Sequence, residues 1–423
     1  MTGSNKRIAL LESGSVGKAL FAMSAPAVAG MVVMAVYNVV DTVFVSLLRD
    51  TTAIAATGIV FPLFQLIGAV GLTFGMGAAS VISRRLGEGN HEAAERAAST
   101  ALYSAAGIGL ALSVFGAVYI KPILTLFGAT DAILGTATRY GRVILGGSIF
   151  QVVNMTVNNL LRAEGASGHS SLGQIVGAVL NIILDPLFIF GLGMGVTGAA
   201  VATVIAQAIS TLFLLSYYFA RKGVLRPLRP ASFHPSRVTY AALMVLGLPT
   251  FVRQILGSVS FGVLNNAAGA YGDAAIAAIS LTLRIFMLLF IAMIGLAQGL
   301  QPLVGYNYGA RAIARVNATI RLVFRTATTI GLVIMFGGIF QAIGDGRSAM
   351  LLAAGQQGLF MIPLVIVLPR WLGLTGVFLA QPAGFVLAFA VGVVLMVRTA
   401  RRKLIPDVVA TDAVEPRQTA DGA

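Results

Sequence analysis

The sequence contains no cysteine, one tryptophan and three histidines, and only 10% of its 423 residues are charged. Without cysteine there can be no disulfide, iron–sulfur cluster or thiolate chemistry. Soluble globular proteins carry about 25% charged residues; a chain this poor in charge, with 57% hydrophobic residues, reads as one whose main solvent is lipid. The histidines, His91, His169 and His234, fall in polar stretches that read as loops. That removes the base an intramembrane serine hydrolase needs. The GxSG-like run Gly165-Ala166-Ser167-Gly168 is therefore not read as a protease site, and no enzymatic activity is expected. The start, MTGSNKRIALLESGSVGKAL, lacks a small-residue cleavage site after a short apolar core and reads as a polar lead-in to the first span.

The charge that is present is mainly basic, 29 Lys and Arg against 15 Asp and Glu. It gathers between apolar runs: Arg84, Arg85 and Arg96; Arg221 to Arg237; Arg311 to Arg325; and Arg398 to Lys403. This is the distribution of the positive-inside rule, and it assigns these loops to the cytoplasm. A multi-pass protein of a bacterial inner (plasma) membrane is expected, with the bilayer as a partner. Nucleic acid is not, because no basic stretch is interleaved with exposed aromatics.

Apolar runs long enough to cross a bilayer predict spans near 19–46, 53–82, 97–120, 139–162, 171–192 and 196–220, then 240–267, 275–304, 318–342, 350–369 and 376–398. The expected organisation is a cytoplasmic N-terminus (1–18), an N-terminal lobe (19–220), a basic linker (221–237), a C-terminal lobe (238–400) and a polar tail (401–423). The halves resemble each other. SAPAVAGMVV aligns with GLPTFVRQIL, TAIAATG with AAIAAIS, and LDPLFIFGLGMGVTGAA with MIPLVIVLPRWLGLTGV. Their shared order indicates a parallel repeat around a central cleft, an architecture of transporters.

Early pairs such as Gly77 and Gly299 sit about 222 positions apart, later ones such as Gly198 and Gly376 about 178. About 44 residues of the first half, two spans' worth, thus have no counterpart in the second. The expected fold is all-α, with a six-helix N lobe and a C lobe of about five helices. Where two spans should stand, 318–342 either crosses once or turns back at Gly337–Gly338. A single crossing would carry Arg398, Arg401, Arg402 and Lys403 outside, against the charge rule.

Two acids, Asp41 and Asp185, lie inside apolar runs, whereas the other acids fall in loops, helix ends or tails. An ionisable group at membrane depth costs roughly 2.5–3.5 kcal/mol on insertion scales and marks a functional site by default. Asn181 and Asp185 are four apart and share a helix face; Thr203 lies on the next span. Such a group could exchange protons, hold Na+ with oxygen ligands, or clamp helices together. Asn154 and Asn158 are one turn apart and could line a cavity. Tyr37, Tyr140 and Met155 could touch a substrate. In the second half, Arg253, Arg284 and Gln298 are cavity candidates, and both arginines could equally snorkel or bond carbonyls.

The segments PAVAGMVVMAVYNVVDTVFV, GEGNHEAAERA, NNLLRAEGASGHSSLGQIVGAVLNIILDPLFIFGLGMGVTGAAVAT, GYNYGA and FQAIGDGR resemble the multidrug and toxic compound extrusion (MATE) family, in the branch of DNA-damage-inducible F-type and staphylococcal-type drug exporters. The resemblance covers nearly the whole chain except both tails. It implies two helical bundles around a cleft, alternating access, and export of amphipathic organic cations in exchange for H+ or Na+, without a cofactor and as a monomer. It also implies a cation-coupling cluster of Asp41, Asn181, Asp185 and Thr203, with Tyr140 and Asn158 nearby and the Ala199 carbonyl as a ligand; the same four side chains would hold Na+. A lipid-linked precursor flippase of the same superfamily, or a non-transporting paralogue left by the shortened lobe, are the alternatives.

Overall fold

The computed structural model describes residues 11–12, 15–220, 223–227, 229–326 and 329–404, and the side chains of 117, 273–281, 283–289, 292, 326, 329 and 330 are outside that description. Helices follow one another: α1 Val16–Leu47, α2 Thr51–Gly87, α3 His91–Val118, the short α4 Ile120–Leu126, α5 Asp131–Gly146, α6 Ser148–Ala163, α7 Ser167–Pro186 and α8 Val196–Phe219. After the linker come α9 Arg237–Gly269, α10 Asp273–Gly309, α11 Ile313–Thr326, α12 Thr329–Ala342, α13 Gly346–Ala354, α14 Ile362–Leu372 and α15 Leu374–Lys403. No strand occurs among the described residues. Eight helical segments there are long and apolar enough to cross a membrane, nine with α5 and α6, which meet at a 45° bend, as one span. The chain is a multi-pass membrane protein.

Short polar connections start these helices. Ser15, Asp50, Asn90, Ser236 and Asp345 each accept a backbone N–H of the first turn they precede, satisfying donors that no helix can pair internally. The repeat is visible in the backbone itself. Gly195 before α8 has φ 58°, ψ −143°, and Gly373 before α15 has φ 57°, ψ −141°. Only glycine adopts that conformation without strain.

The two lobes meet through glycines related by the same repeat. A methyl group on Gly77 would strike the Leu243 carbonyl of α9, and one on its counterpart Gly299 would strike Ser24 of α1. At the helix ends, Gly87 lies on the Tyr306 carbonyl and Gly309 on the Arg84 carbonyl. Small residues allow backbones this close. All of these contacts lie toward the face that carries the basic loops.

Between α11 and α12 the C lobe turns back on itself. Arg315 donates to the Leu11 carbonyl and Asn317 to the Leu404 carbonyl, while Thr399 bonds Asp345 at 3.0 Å. Both ends of the α11–α12 segment therefore lie beside the basic end of α15. Phe324 of α11 and Phe336 of α12 have ring centroids 5.5 Å apart; collinear helices would separate them by about 18 Å. The segment enters and leaves on one face. Each arm has 14 residues, about 21 Å of helix against a hydrocarbon core of about 30 Å. The break lies between Thr326 and Thr329, not at the expected Gly337–Gly338, which sit inside α12. With this re-entrant pair, α15 returns its Arg401, Arg402 and Lys403 to the basic face.

The linker is packed rather than loose. Glu164 Oε2 accepts the backbone N–H groups of Val224 (2.8 Å) and Leu225 (3.3 Å), and Ser232 donates to Glu95 at 2.7 Å.

Candidate functional site

Asp41 of α1 and Asp185 of α7 are neighbours in the N lobe, close enough for their carboxyl groups to interact directly. Asp185 is fully buried and Asn181 is 2% exposed. The Asn181 amide nitrogen donates to Asp185 Oδ2 at 3.0 Å, and its oxygen accepts from the Thr203 backbone N–H (3.1 Å) and hydroxyl (3.2 Å). The reverse amide orientation would set oxygen against carboxylate, so this one is fixed by chemistry. Tyr37 lines the same chamber as Thr203 and lies within electrostatic reach of both acids. Tyr140 of α5 closes the other side, beside Asp41 and Tyr37.

This cluster forms because α7 and α8 are antiparallel neighbours joined by a tight connection. Pro186 ends the regular part of α7, and a wider π turn, Leu187–Gly191, follows. Gly198 lies against the Phe188 backbone, drawing α8 close enough for Thr203 to reach Asn181. Ala199 sits in the apolar layer of Val45, Ala53, Ile189 and Val196 against which Tyr140 packs.

Asn158, expected near the acids, is elsewhere. Its amide nitrogen donates to the Ser170 carbonyl (3.2 Å), and its oxygen accepts from the Ser170 hydroxyl (2.7 Å). Ser170 lies 15 residues before Asp185, about 22 Å along the helix. Asn158 faces the first turns of α7 and the acids face its end; helix rise alone separates them. One other sequence expectation also shifts. His91 and His169 are not in loops but in the first turns of α3 and α7, His169 stacked on Phe213 at 4.7 Å. The Ser167 hydroxyl points to the Met23 sulfur at 3.6 Å.

Two adjoining cavities lie beside the cluster. One, of about 210 Å³, is within the N lobe and is lined by Tyr37, Asn154, Met155, Asn181 and Thr203 among others. Asn154 also bonds Ser210 (2.9 Å) and Thr211 (3.2 Å) of α8, so it holds helices together while it lines the chamber. The other, of about 400 Å³, lies between the lobes and receives Met155, Asn158, Arg253 and Gln298. Met34, Asn38 and Gln254 line both. Arg284 belongs to α10, where its side chain is outside the described residues. Sequence reasoning missed Arg162 and Gln174, which also line the interlobe cavity; Gln254 and Gln301, which the sequence offers as cavity candidates beside Gln298, line it too. A signal for Arg162 was available: it follows Asn158 and Asn159 at helical spacing and shares their face.

Two pseudo-symmetric helical lobes around a cavity, with a buried carboxyl pair in one lobe, define a membrane transporter. The MatE family model matches residues 26–187 and 249–344, and the chain belongs to this multidrug and toxic compound extrusion family. Among curated proteins it is similar to the multidrug export protein MepA of Staphylococcus saprophyticus, 27% identical over 416 residues, covering 88% of this chain and 92% of that one. MepA of Staphylococcus aureus strain NCTC 8325 is 27% identical over 415 residues with the same coverage. Among solved structures it is similar to a multidrug resistance MATE family transporter of the MOP superfamily in an outward-facing conformation. That structure has a TM-score of 0.87 and 27% identity, over 95% of this chain and 99% of that chain. A MOP superfamily transporter from Pyrococcus furiosus, whose binding pocket is described as reversed in polarity and as suggesting a different function, matches with TM-score 0.87 and 26% identity, over 95% of this chain and 100% of that one.

Proposed function

We propose that the chain is a secondary antiporter that exports amphipathic organic cations in exchange for H+ or Na+ by alternating access. The basic face is the cytoplasmic one. The observation that carries the reading is the juxtaposition of Asp41 and Asp185, with Asn181, Thr203, Tyr37 and Tyr140 around them. Two carboxyl groups this close form a site whose charge changes when a proton or Na+ enters or leaves. At membrane depth that change is large in energy, so it can bias which face of the protein is open. Family membership and the likeness to multidrug exporters support drug efflux. The N-lobe chamber supports a coupling in which ion and drug occupy adjoining space, because Tyr37, Asn181 and Thr203 line it and Asn181 bonds Asp185.

The test is ion-driven uptake of a lipophilic cation into everted vesicles. Asp41→Asn and Asp185→Asn should each abolish it while the protein inserts at normal levels. Unchanged uptake in both variants would sink the proposal.

A further inference from the structure

The interlobe cavity has the wrong sign for a site that takes only cations. Among the described residues that line it there is no Asp or Glu, but there are two arginines, Arg162 and Arg253, one from each lobe. Neither arginine is in an ion pair among the described residues. Arg162 is 5% exposed. Its Nε donates to the Ser170 hydroxyl at 3.0 Å, while its Nη2 has no hydrogen-bond partner. A buried, uncompensated guanidinium is expensive, and buried polar atoms are otherwise almost always paired.

The unpartnered atoms converge. Among the described residues, four buried side-chain atoms without a hydrogen-bond partner belong to residues lining this one cavity: Arg162 Nη2, Gln174 Oε1, Gln298 Oε1 and Gln301 Nε2. Apolar walls, including Met31, Met76 and Phe290, complete it. Two guanidiniums and the Gln301 amide N–H are donors for an oxyanion head, the Gln174 and Gln298 oxygens are acceptors for its polar N–H or O–H groups, and the apolar walls suit a greasy body.

We propose that the interlobe cavity is an anion-accepting substrate site, in which Arg162 and Arg253 hold the carboxylate, phosphate or sulfonate of an amphipathic molecule. Carbon-rich parts of that molecule lie on the methionine and phenylalanine walls. The adjoining N-lobe chamber, beside Asp41 and Asp185, takes a cationic group; a zwitterionic amphipath would span both spaces. This rests on the export reading only in taking the interlobe cavity as substrate space.

The experiment is equilibrium binding of dansylglycine and its methyl ester to the full chain in phosphatidylcholine nanodiscs, without an ion gradient, so that a failure of ion coupling leaves the measurement untouched. The two probes differ by one negative charge. Dansylglycine should bind at least about tenfold tighter than the ester, the size of one charge-assisted hydrogen bond. Arg253→Gln should erase that preference while binding the ester as the parent does. Arg162→Gln should do the same; Arg253 faces open cavity, so its variant keeps the test alive should the buried one fail to fold. Adding phosphatidic acid to the nanodiscs separates the sources: competition assigns the oxyanion to a lipid headgroup, and its absence to a free amphipath. Equal affinity of the parent for both probes, or equal weakening of both by Arg253→Gln, overturns the proposal.

Discussion

Gly87 and Gly309 offer the sharpest handle on how the lobes move. They are repeat-related, one at the end of α2 and the other at the end of α10, and each lies against a backbone carbonyl of the other helix. A side chain in the way could rotate aside; a helix backbone cannot. Gly87→Ala or Gly309→Ala must therefore push the two helix ends apart. Overpacking of this kind costs about 1–3 kcal/mol. In the proposed alternating-access cycle this contact belongs to the state with the basic face closed, so the cost falls on that state. It should raise the population with the basic face open by a factor of about 5–150, at about 1.4 kcal/mol per tenfold. The sequence has no cysteine, so introduced thiols are labelled without background. Spin labels at Glu92→Cys and Ala314→Cys, exposed positions on the helices that follow α2 and α10, report the separation by pulsed electron resonance. A longer-distance population should grow in either glycine variant and stay unchanged in Gly107→Ala, where nothing lies within 4 Å of the added methyl. Folded glycine variants with the parent's distance distribution would refute the reasoning.

Asp345 caps α13 through the Ser348 backbone N–H (3.2 Å) and hydroxyl (2.9 Å), and bonds Thr399 of α15 at 3.0 Å. Partial desolvation works against its charge, but these hydrogen bonds and Lys403 outweigh it and hold the carboxyl below its ordinary value of 3.8. A depressed acid stabilises above its unfolded pKa and loses that contribution as pH falls through the folded one. Asp345→Ala should lower the melting temperature at neutral pH, by an amount set by about 1 kcal/mol of lost capping. That gap should close as the pH drops below about 4; a gap that persists in acid contradicts the assignment. Glu164→Ala removes the acceptor of the Val224 and Leu225 N–H groups, at a cost of about 1–3 kcal/mol. Trypsin should then cut the linker after Lys222, the cleavable bond nearest these contacts, roughly tenfold faster or more, and an unchanged rate would show that the linker is held by other contacts.

Much of this molecule is legible without coordinates, because lipid leaves few ways to fold. A backbone without water must pair its own hydrogen bonds, so apolar runs become helices, and sparse charges mark their ends. Asp41 and Asp185 stand out for the same reason, and the spacing of Asn181 and Asp185 puts them on one face. The change in repeat offset from 222 to 178 likewise locates a shortening inside the second lobe.

What the sequence leaves open depends on which helix faces meet. The chain reverses between α11 and α12 because the arms are too short to cross and their polar ends bond Leu11, Leu404 and Thr399, partners far away in sequence. Asn158 and Asp185 are both polar residues of neighbouring spans, yet the register of α6 against α7 sets them at opposite ends of a helix. The same packing draws Arg162 from the N lobe and Arg253 from the C lobe to one cavity. One-dimensional spacing fixes which residues share a helix face; only tertiary packing decides what that face sees, and here it sets an acid pair inside one lobe and two unpaired cations between them.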